Sequence, residues 1–278
     1  MTPHSDSLDE IVRSVQSSAK YATIDERFVR RIAASECTRR KSRKEIIKET
    51  KRTLHQVSGA YFNGTPRFGE WETELQQTVD EATMQGVLRR LLDRSPATRE
   101  RMKEMDTIYE WIFSRVGLVT TVQDIGCGLN PLAIPWMPIV RSVRYEAYDL
   151  YTDLADFLNR FFQLIGQNGV AYACDVTGDT HRTPADLALL MKFLPLIDHL
   201  PGGNVLALLH RIPARWLAVT FPASSLGGKE KGMAKHYTDR MNTLVHGQGW
   251  DIHRQVFTSE LVFLVDKGIA SASPLPGV

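Results

Sequence analysis

A short glycine turn near the middle of the chain carries the residues best suited to chemistry. Residues 122–131 read as a buried strand that ends in Gly126-Cys127-Gly128, with Asp124 two positions before the first glycine. About 20 residues later, a second strand candidate ends at Asp149. Glycines allow the backbone to approach a ligand closely, and an acid at the next strand end accepts hydrogen bonds from ribose hydroxyls. The pattern therefore predicts a nucleoside-cofactor site.

The residue after this turn distinguishes between cofactors. A dinucleotide site needs a third glycine where the helix begins beside a pyrophosphate, and this chain has Pro131 three residues after Gly128. S-adenosylmethionine (SAM) has no phosphate and suits the shorter motif. We predict a SAM site here, and the alternative is a tight turn without a ligand.

Other polar residues follow later strand candidates. Asp175 is expected to accept from the adenine amino group, with the backbone N–H of Val176 beside it, although Asp175 is also typical of a plain turn. Lys192 follows an apolar strand, where it either faces a reaction pocket or extends its amine to solvent. Leu194 completes the predicted cofactor contacts.

An arginine before the first strand is a further candidate. Arg99 opens a helix, from which a guanidinium can clamp the methionine carboxylate of SAM. A helix-terminal salt-bridge cluster is the alternative. A long, glycine-rich, basic loop at 220–233 is expected to overhang the same edge of the sheet.

Strands and helices, which must position these residues, alternate after residue 116. Apolar spacing predicts helices through the first hundred residues and then a seven-stranded, Rossmann-like α/β sheet that ends in an antiparallel hairpin. This order is typical of SAM-dependent methyltransferases. We predict an N-terminal helical domain over 1–100, a methyltransferase domain over 101–267 and a flexible tail over 268–278. The predicted strands are 121–125, 142–148, 169–174, 185–191, 216–221, 250–257 and 260–265.

Composition excludes several classes of protein. The chain has 278 residues, of which 43% are hydrophobic and 24% charged, and no apolar run is long enough to span a membrane. Three scattered cysteines and the lack of zinc-type spacing predict a cytoplasmic protein without a metal.

Positive charge is concentrated near the N-terminus. Residues 27–52 contain eleven basic and three acidic residues, although the whole chain has a net charge of only +2. This density predicts a polyanionic partner such as RNA, and the alternative is a solvated helix face with internal ion pairs. The candidate RNA contacts in this region are Arg39, Arg40, Lys41, Arg43, Lys44, Lys48, Lys51 and Arg52.

Several short segments together resemble one family. They are SAKYAT (18–23), VRR (29–31), LHQ (54–56) with GAY (59–61), TRER (98–101), CGLNP (127–131) with PW (135–136), KFLP (192–195), TFP (220–222) with KGM (231–233), and SEL (259–261). The chain resembles the aminoglycoside-resistance 16S rRNA (guanine-N7) methyltransferases of the Arm/Sgm/Rmt type, in which these segments follow in the same order. The resemblance spans about residues 8 to 267.

This resemblance implies methylation of N7 of guanosine 1405 in the 16S rRNA of the assembled 30S subunit. It implies that Arg99, Gly126, Asp149 and Asp175 contact SAM, and the glycine turn adds Gly128 to the predicted cofactor contacts. It also implies that Lys20, Lys51 and Arg67 lie at or near basic positions of the rRNA-docking surface. Lys229 and Lys231 of the basic loop are further candidates to bind RNA phosphate. Two positions depart from the family pattern, since Gly126 stands where alanine is frequent and Leu150-Tyr151 follows Asp149 where a second aspartate is frequent.

The chemistry of guanine N7 sets the expected mechanism. N7 is a lone-pair acceptor that attacks a methyl group without losing a proton, so we predict no general base. The base must leave its stack, and Trp136 is a candidate to pack against it, or else a core tryptophan. Lys192 and the 223–232 segment are expected to shape the pocket of this monomeric enzyme. The alternatives are a methyltransferase of another RNA or of a small molecule, and a non-catalytic rRNA-binding or assembly factor.

Overall fold

The computed structural model describes residues 3–39, 42–58, 65–178, 182–223 and 230–268. In these ranges seven strands form one sheet in the order β3-β2-β1-β4-β5-β7-β6, in which β1 to β5 are parallel and β7 is antiparallel to both β5 and β6. The strands are β1 Thr121–Ile125, β2 Arg144–Asp149, β3 Gly169–Ala173, β4 Ala185–Met191, β5 Ala214–Pro222, β6 Asp251–Val256 and β7 Glu260–Asp266. This sheet confirms the predicted fold class.

Helices precede the sheet and connect most of its strands. They are α1 Pro3–Gln16, α2 Glu26–Arg39, α3 Arg43–Ser58, α4 Phe68–Gln76, α5 Glu81–Leu92, α6 Pro96–Arg101, α7 Met105–Val116, α8 Thr152–Ile165, α9 Leu194–Ile197, α10 Val205–Arg211 and α11 Glu230–Val245. Short 3-10 helices cover Ala19–Tyr21 and Asn130–Trp136. We refer to α1, α2 and α3 as the helical module.

Helices cover both faces of the sheet. Leu187 and Leu189 of β4 point into one apolar cluster together with side chains of α4, α5, α7 and α8. Ala188 and Leu190 point into a second cluster that contains the apolar side chains of the helical module and of α9 to α11. Because side chains alternate along a strand, one apolar strand supplies both cores.

The early helices therefore share the core of the sheet. The ring centroid of Phe68 in α4 lies 5.1 Å from that of Phe157 in α8, and the Trp71 centroid lies 5.9 Å from the same ring. The boundary at residue 100 stays a prediction, and residues 269–278 of the predicted tail lie outside the described ranges. Within those ranges, the structure contains no helix with the length and apolarity that crossing a membrane requires.

Candidate functional site

The glycine turn after β1 is held by the acid at the end of β2. Gly126 and Gly128 have φ angles of +65° and +50°, a conformation that favours glycine. The N–H of Gly128 donates to Oδ2 of Asp149 at 2.8 Å, and the N–H of Leu150 donates to Oδ1 at 2.7 Å. The sequence motif thus brings these residues together at the carboxyl edge of the parallel strands.

A cavity of about 390 Å³ opens beside this turn. Its size is in the range of small-molecule sites. Its walls come from the glycine turn, the start of α6, the end of β4 and the start of α11. The lining residues include Gly126, Gly128, Asn130, Thr98, Glu100, Arg101, Met191, Lys192, Phe193, Pro222 and Met233.

A narrow recess of about 20 Å³ continues from Gly126 past Phe193. Asp149, Asp175 and Val176 line this recess. They are the residues that the sequence analysis proposed for the ribose and adenine contacts. Its remaining walls include Phe28 of α2 and Val57 of α3, which the sequence did not indicate.

Burial changes the acid chemistry at the turn. It raises the pKa of Asp149 to about 6, against the opposing effect of the N–H donors of Gly128 and Leu150. Burial likewise raises the pKa of Asp124 to about 7, although Asn130 and the Tyr145 hydroxyl donate to its Oδ2 at 2.9 and 2.7 Å. Asp124 Oδ1 accepts no hydrogen bond from the described residues.

A buried arginine connects α6 to the last strand. Nε of Arg101 donates to Oε1 of Glu260 at 2.8 Å, and its Nη1 donates to Oδ1 of Asn130 at 2.5 Å. The side chains of Arg101 and Glu260 are 2% and 0% exposed. Burial, the largest single effect, lowers the pKa of Arg101, but the charge of Glu260 and the interactions with Tyr109 together outweigh it, and the pKa is raised.

Lys192 occupies a conformation that is unusual for its residue type. It is the one non-glycine residue with a positive φ, +57°, in the described part of the chain. Its Nζ pairs with Oε2 of Glu100 at 2.5 Å and lies 3.5 Å from Oε1 of Glu260. A left-handed backbone costs about 1–2 kcal/mol for such a residue and is typical of functional sites. The structure places Lys192 on the cavity wall, which is the first of the two alternatives that the sequence left open.

Three of the predicted contact residues are not among the residues that line the cavity, and their roles stay predictions. Arg99 is exposed on α6, whereas Arg101 of the same helix lines the cavity. Trp136 lies outside the lining of the cavity, with its ring 4.9 Å from the guanidinium of Arg89. Leu194 is buried in the core next to the lining residue Phe193.

A signal for Arg101 was present in the sequence. Ser95, Thr98, Arg101, Met105 and Ile108 recur at helical spacing, and the structure buries all of them. Arg101 belongs to this inward-facing stripe and Arg99 does not, because residues two apart on a helix do not share a face.

The predicted RNA contacts divide into paired and exposed groups. Arg43 pairs with Glu10, Arg52 with Glu49, Arg67 with Glu70 and, at 3.9 Å, Arg39 with Glu36. Lys20 contacts His55 and Lys51 donates to Ser18, while Lys44 and Lys48 are exposed. Arg40 and Lys41 lie outside the described residues. So do residues 224–229 of the predicted overhanging loop, which include Lys229. Lys231 lies in α11, which begins at Glu230.

Comparison with known proteins agrees with this geometry. Residues 17–264 match the family described as "Ribosomal RNA methyltransferase (FmrO)". A 16S rRNA (guanine(1405)-N(7))-methyltransferase of Serratia marcescens is 31% identical over 260 residues, which cover 94% of this chain and 98% of the relative.

Two solved structures are similar to the whole fold. The 16S rRNA methylase RmtB is 27% identical with a TM-score of 0.78, covering 94% of this chain and 98% of its own. The 16S rRNA methyltransferase RmtF in complex with S-adenosyl-L-homocysteine is 26% identical with a TM-score of 0.78, covering 96% and 99%. With a glycine turn, a buried acid and a cavity at the carboxyl edge of a seven-stranded sheet, this chain belongs to the ribosomal RNA methyltransferase (FmrO) family.

Proposed function

We propose that the chain transfers a methyl group from SAM to N7 of guanosine 1405 in 16S rRNA, and that it does so on the assembled 30S subunit and confers aminoglycoside resistance. The observation that carries this proposal is the contact between Asp149 and Gly128 beside the 390 Å³ cavity, in a member of an rRNA methyltransferase family. The guanosine specificity is supported by the Serratia marcescens relative, which is a 16S rRNA (guanine(1405)-N(7))-methyltransferase.

The residues at the turn fit SAM. Asp149 has a buried carboxylate at the position where a ribose diol binds, and the backbone N–H groups of Gly128, Leu150 and Tyr151 hold it there. Asp175 and Val176 line the recess for adenine. Arg101 and Lys192, each paired with a glutamate, line the cavity with N–H donors to which the methionine carboxylate would bind.

The protein's part in the reaction is to position the reactants. When bound, SAM supplies an electrophilic methyl carbon on a sulfonium. The target nitrogen already carries its lone pair, so no side chain has to remove a proton. The ammonium of Lys192 is paired with Glu100, which suits a group that orients the guanine and not one that accepts a proton. Met191, Pro222 and Met233 give the cavity an apolar wall against which a base can pack.

Docking on the ribosome is assigned to the positive surface of the helical module. Lys44 and Lys48 are exposed on α3, and Lys20 and Arg67 are exposed as well. These groups contact phosphate without reading sequence, so the folded RNA of the subunit supplies the specificity. The same proposal includes a cytoplasmic monomer that needs no metal.

A transfer assay tests the proposal. Purified full-length protein is given SAM labelled on the methyl group together with 30S subunits, free 16S rRNA, tRNA, or 30S subunits in which nucleotide 1405 is adenosine. We expect label only on guanosine-1405 subunits, at N7, as mapped by mass spectrometry of nuclease fragments.

Each other outcome contradicts a defined part of the proposal. Equal labelling of free 16S rRNA contradicts the requirement for the assembled subunit. Labelling of tRNA or of the adenosine subunit favours a different RNA substrate. Absence of label on every RNA favours a non-catalytic rRNA-binding factor.

A further inference from the structure

An arginine of the helical module reaches into the cofactor region. Nε of Arg31 in α2 donates to Oδ2 of Asp175 at 2.6 Å, and its Nη2 donates to Oγ1 of Thr177 at 2.7 Å. The Asp175 side chain is only 9% exposed in this pair. A guanidinium that donates two bonds to neighbouring residues fixes their geometry more strictly than a single bond does.

The same module also holds the loop that follows Asp149. The N–H of Asp25 donates to the carbonyl of Leu150 at 2.7 Å, and the N–H of Thr152 donates to the carbonyl of Thr23 at 2.8 Å. Ile24 and Tyr151 form an antiparallel bridge between these two bonds. Both loops that carry the cofactor acids are thus attached to the start of α2.

Side chains of the module complete the recess itself. Phe28 and Val57 line it opposite Asp149 and Val176. The guanidinium carbon of Arg31 lies 5.2 Å from the centre of the Phe28 ring, one helical turn away. One face of α2 therefore supplies both an apolar wall and the partner of Asp175.

Arg31 and Thr177 hold different oxygens of the Asp175 carboxylate. The N–H and hydroxyl of Thr177 both donate to Oδ1 of Asp175, at 2.9 and 2.5 Å. Oδ2 accepts from Arg31 instead. Without Arg31, Thr177 is the one described residue that still donates to the Asp175 side chain, so the carboxylate can rotate away from the recess.

We infer that Arg31 is a positioning residue for the cofactor: it sets the carboxylate of Asp175 for the adenosine end of SAM and makes the helical module part of the cofactor site. This inference rests on the proposed SAM site, but not on the identity of the RNA substrate. It predicts that a substitution far from the sheet in sequence weakens cofactor binding before any RNA is present.

Calorimetric titration of SAM into the free, full-length protein tests this inference. We expect Arg31→Ala to weaken SAM binding roughly tenfold, in line with the loss of a hydrogen bond between charged groups. Arg31→Lys keeps the charge but loses the two-bond geometry, so it should recover only part of the affinity. Arg30→Ala is the matched control, because the neighbouring Arg30 pairs with Asp9 and Glu26 on the outer side of α2.

A second ligand and a double variant separate positioning from general loss of structure. Methylthioadenosine lacks the amino-acid end of SAM, so Arg31→Ala should weaken it by the same factor. Arg31→Ala combined with Asp175→Asn should weaken SAM binding by less than the product of the two single effects, because both changes break one interaction. If Arg31→Ala unfolds, the double-mutant cycle is measured with Arg31→Lys and Asp175→Asn instead.

The outcomes distinguish this inference from the proposed function. Unchanged SAM affinity in a folded Arg31 variant overturns the inference, and so does a loss seen with SAM but not with methylthioadenosine, or strict multiplicativity in the double variant. Failure of wild-type protein to label 30S subunits, combined with the expected affinity losses, overturns the RNA target and leaves the role of Arg31 intact.

Discussion

The Phe193 ring packs against the backbone of Gly126 so closely that a Cβ atom added to Gly126 would stand 2.2 Å from Cδ2 of the ring. Gly126 also has a φ of +65°. Two separate costs therefore oppose a side chain at this turn, namely backbone strain and a collision with an aromatic ring that separates the cavity from the recess.

Gly126→Ala is expected to destabilise the protein by about 1–2 kcal/mol through backbone strain and by about 1–3 kcal/mol more through overpacking. Urea denaturation measures the free energy of unfolding. Adding Phe193→Leu should recover the overpacking part and leave the strain. Full recovery in the double variant would show that the turn can relax its φ angle, and no recovery would contradict the ring collision.

Asp149→Ala is expected to weaken SAM binding at least tenfold, because it removes the ribose acceptor and the acceptor for the Gly128 N–H together. Calorimetric titration measures this affinity. Asp156→Ala is the matched control, since Asp156 is exposed on α8, the helix that follows Asp149. Equal affinity in the two variants would contradict the assignment of the cofactor site.

Glu260→Ala is expected to lower the free energy of unfolding by about 3–5 kcal/mol, because it leaves the buried charge of Arg101 without its carboxylate. Urea denaturation of the purified variant checks this value. Asp239→Ala removes the acid of an exposed pair with Lys235 and should change stability little. Similar effects in both variants would contradict the desolvation argument.

Asp124 should make stability depend on pH. Its pKa of about 7 in the folded protein exceeds the ordinary 3.8, so the folded state binds a proton between these pH values where the unfolded state does not. The stability of the wild type should therefore fall as pH rises from about 4 to 7, by up to about 1.4 kcal/mol per pH unit from this group.

Asp124→Asn cannot ionise and should lose this contribution. Urea denaturation at several pH values between 4 and 7.5 compares the two proteins. The stability of the variant relative to the wild type should rise with pH across that range. Parallel curves would indicate that Asp124 keeps an ordinary pKa.

The strands were predictable because each apolar run ends at residues that stop a strand. β1 and β4 have the predicted bounds, since a glycine turn follows one and the Lys192 turn follows the other. β2 begins at Arg144 and not at residue 142, because the backbone at 141–143 forms a turn instead of pairing. β5 begins two residues early, at Ala214, where its register against Ala185 of β4 starts.

The site was predictable where its residues follow the ends of the parallel strands, as Asp149, Asp175 and Lys192 do. Gly126, Gly128 and Asp149 belong to one strand–turn–strand unit, and the structure places them in contact. The contacts of Arg101 with Glu260 and of Arg31 with Asp175 join residues 159 and 144 positions apart. Such pairs depend on how whole helices pack on the sheet, and spacing along the chain carries no information about that packing.

The bridge between Ile24 and Tyr151 has a consequence for how this enzyme can evolve. If α2 docks on the ribosome as proposed, a substitution in α2 that changes this fit can also move Phe28, which lines the recess proposed for the nucleoside. Such a substitution would alter the affinities for donor and acceptor together, and any coupling between the two bound partners would be reciprocal. Adaptation to the ribosome of a new host would then need compensating changes at the sheet. Replacing the helical module alone with that of a relative should therefore yield an enzyme with low activity.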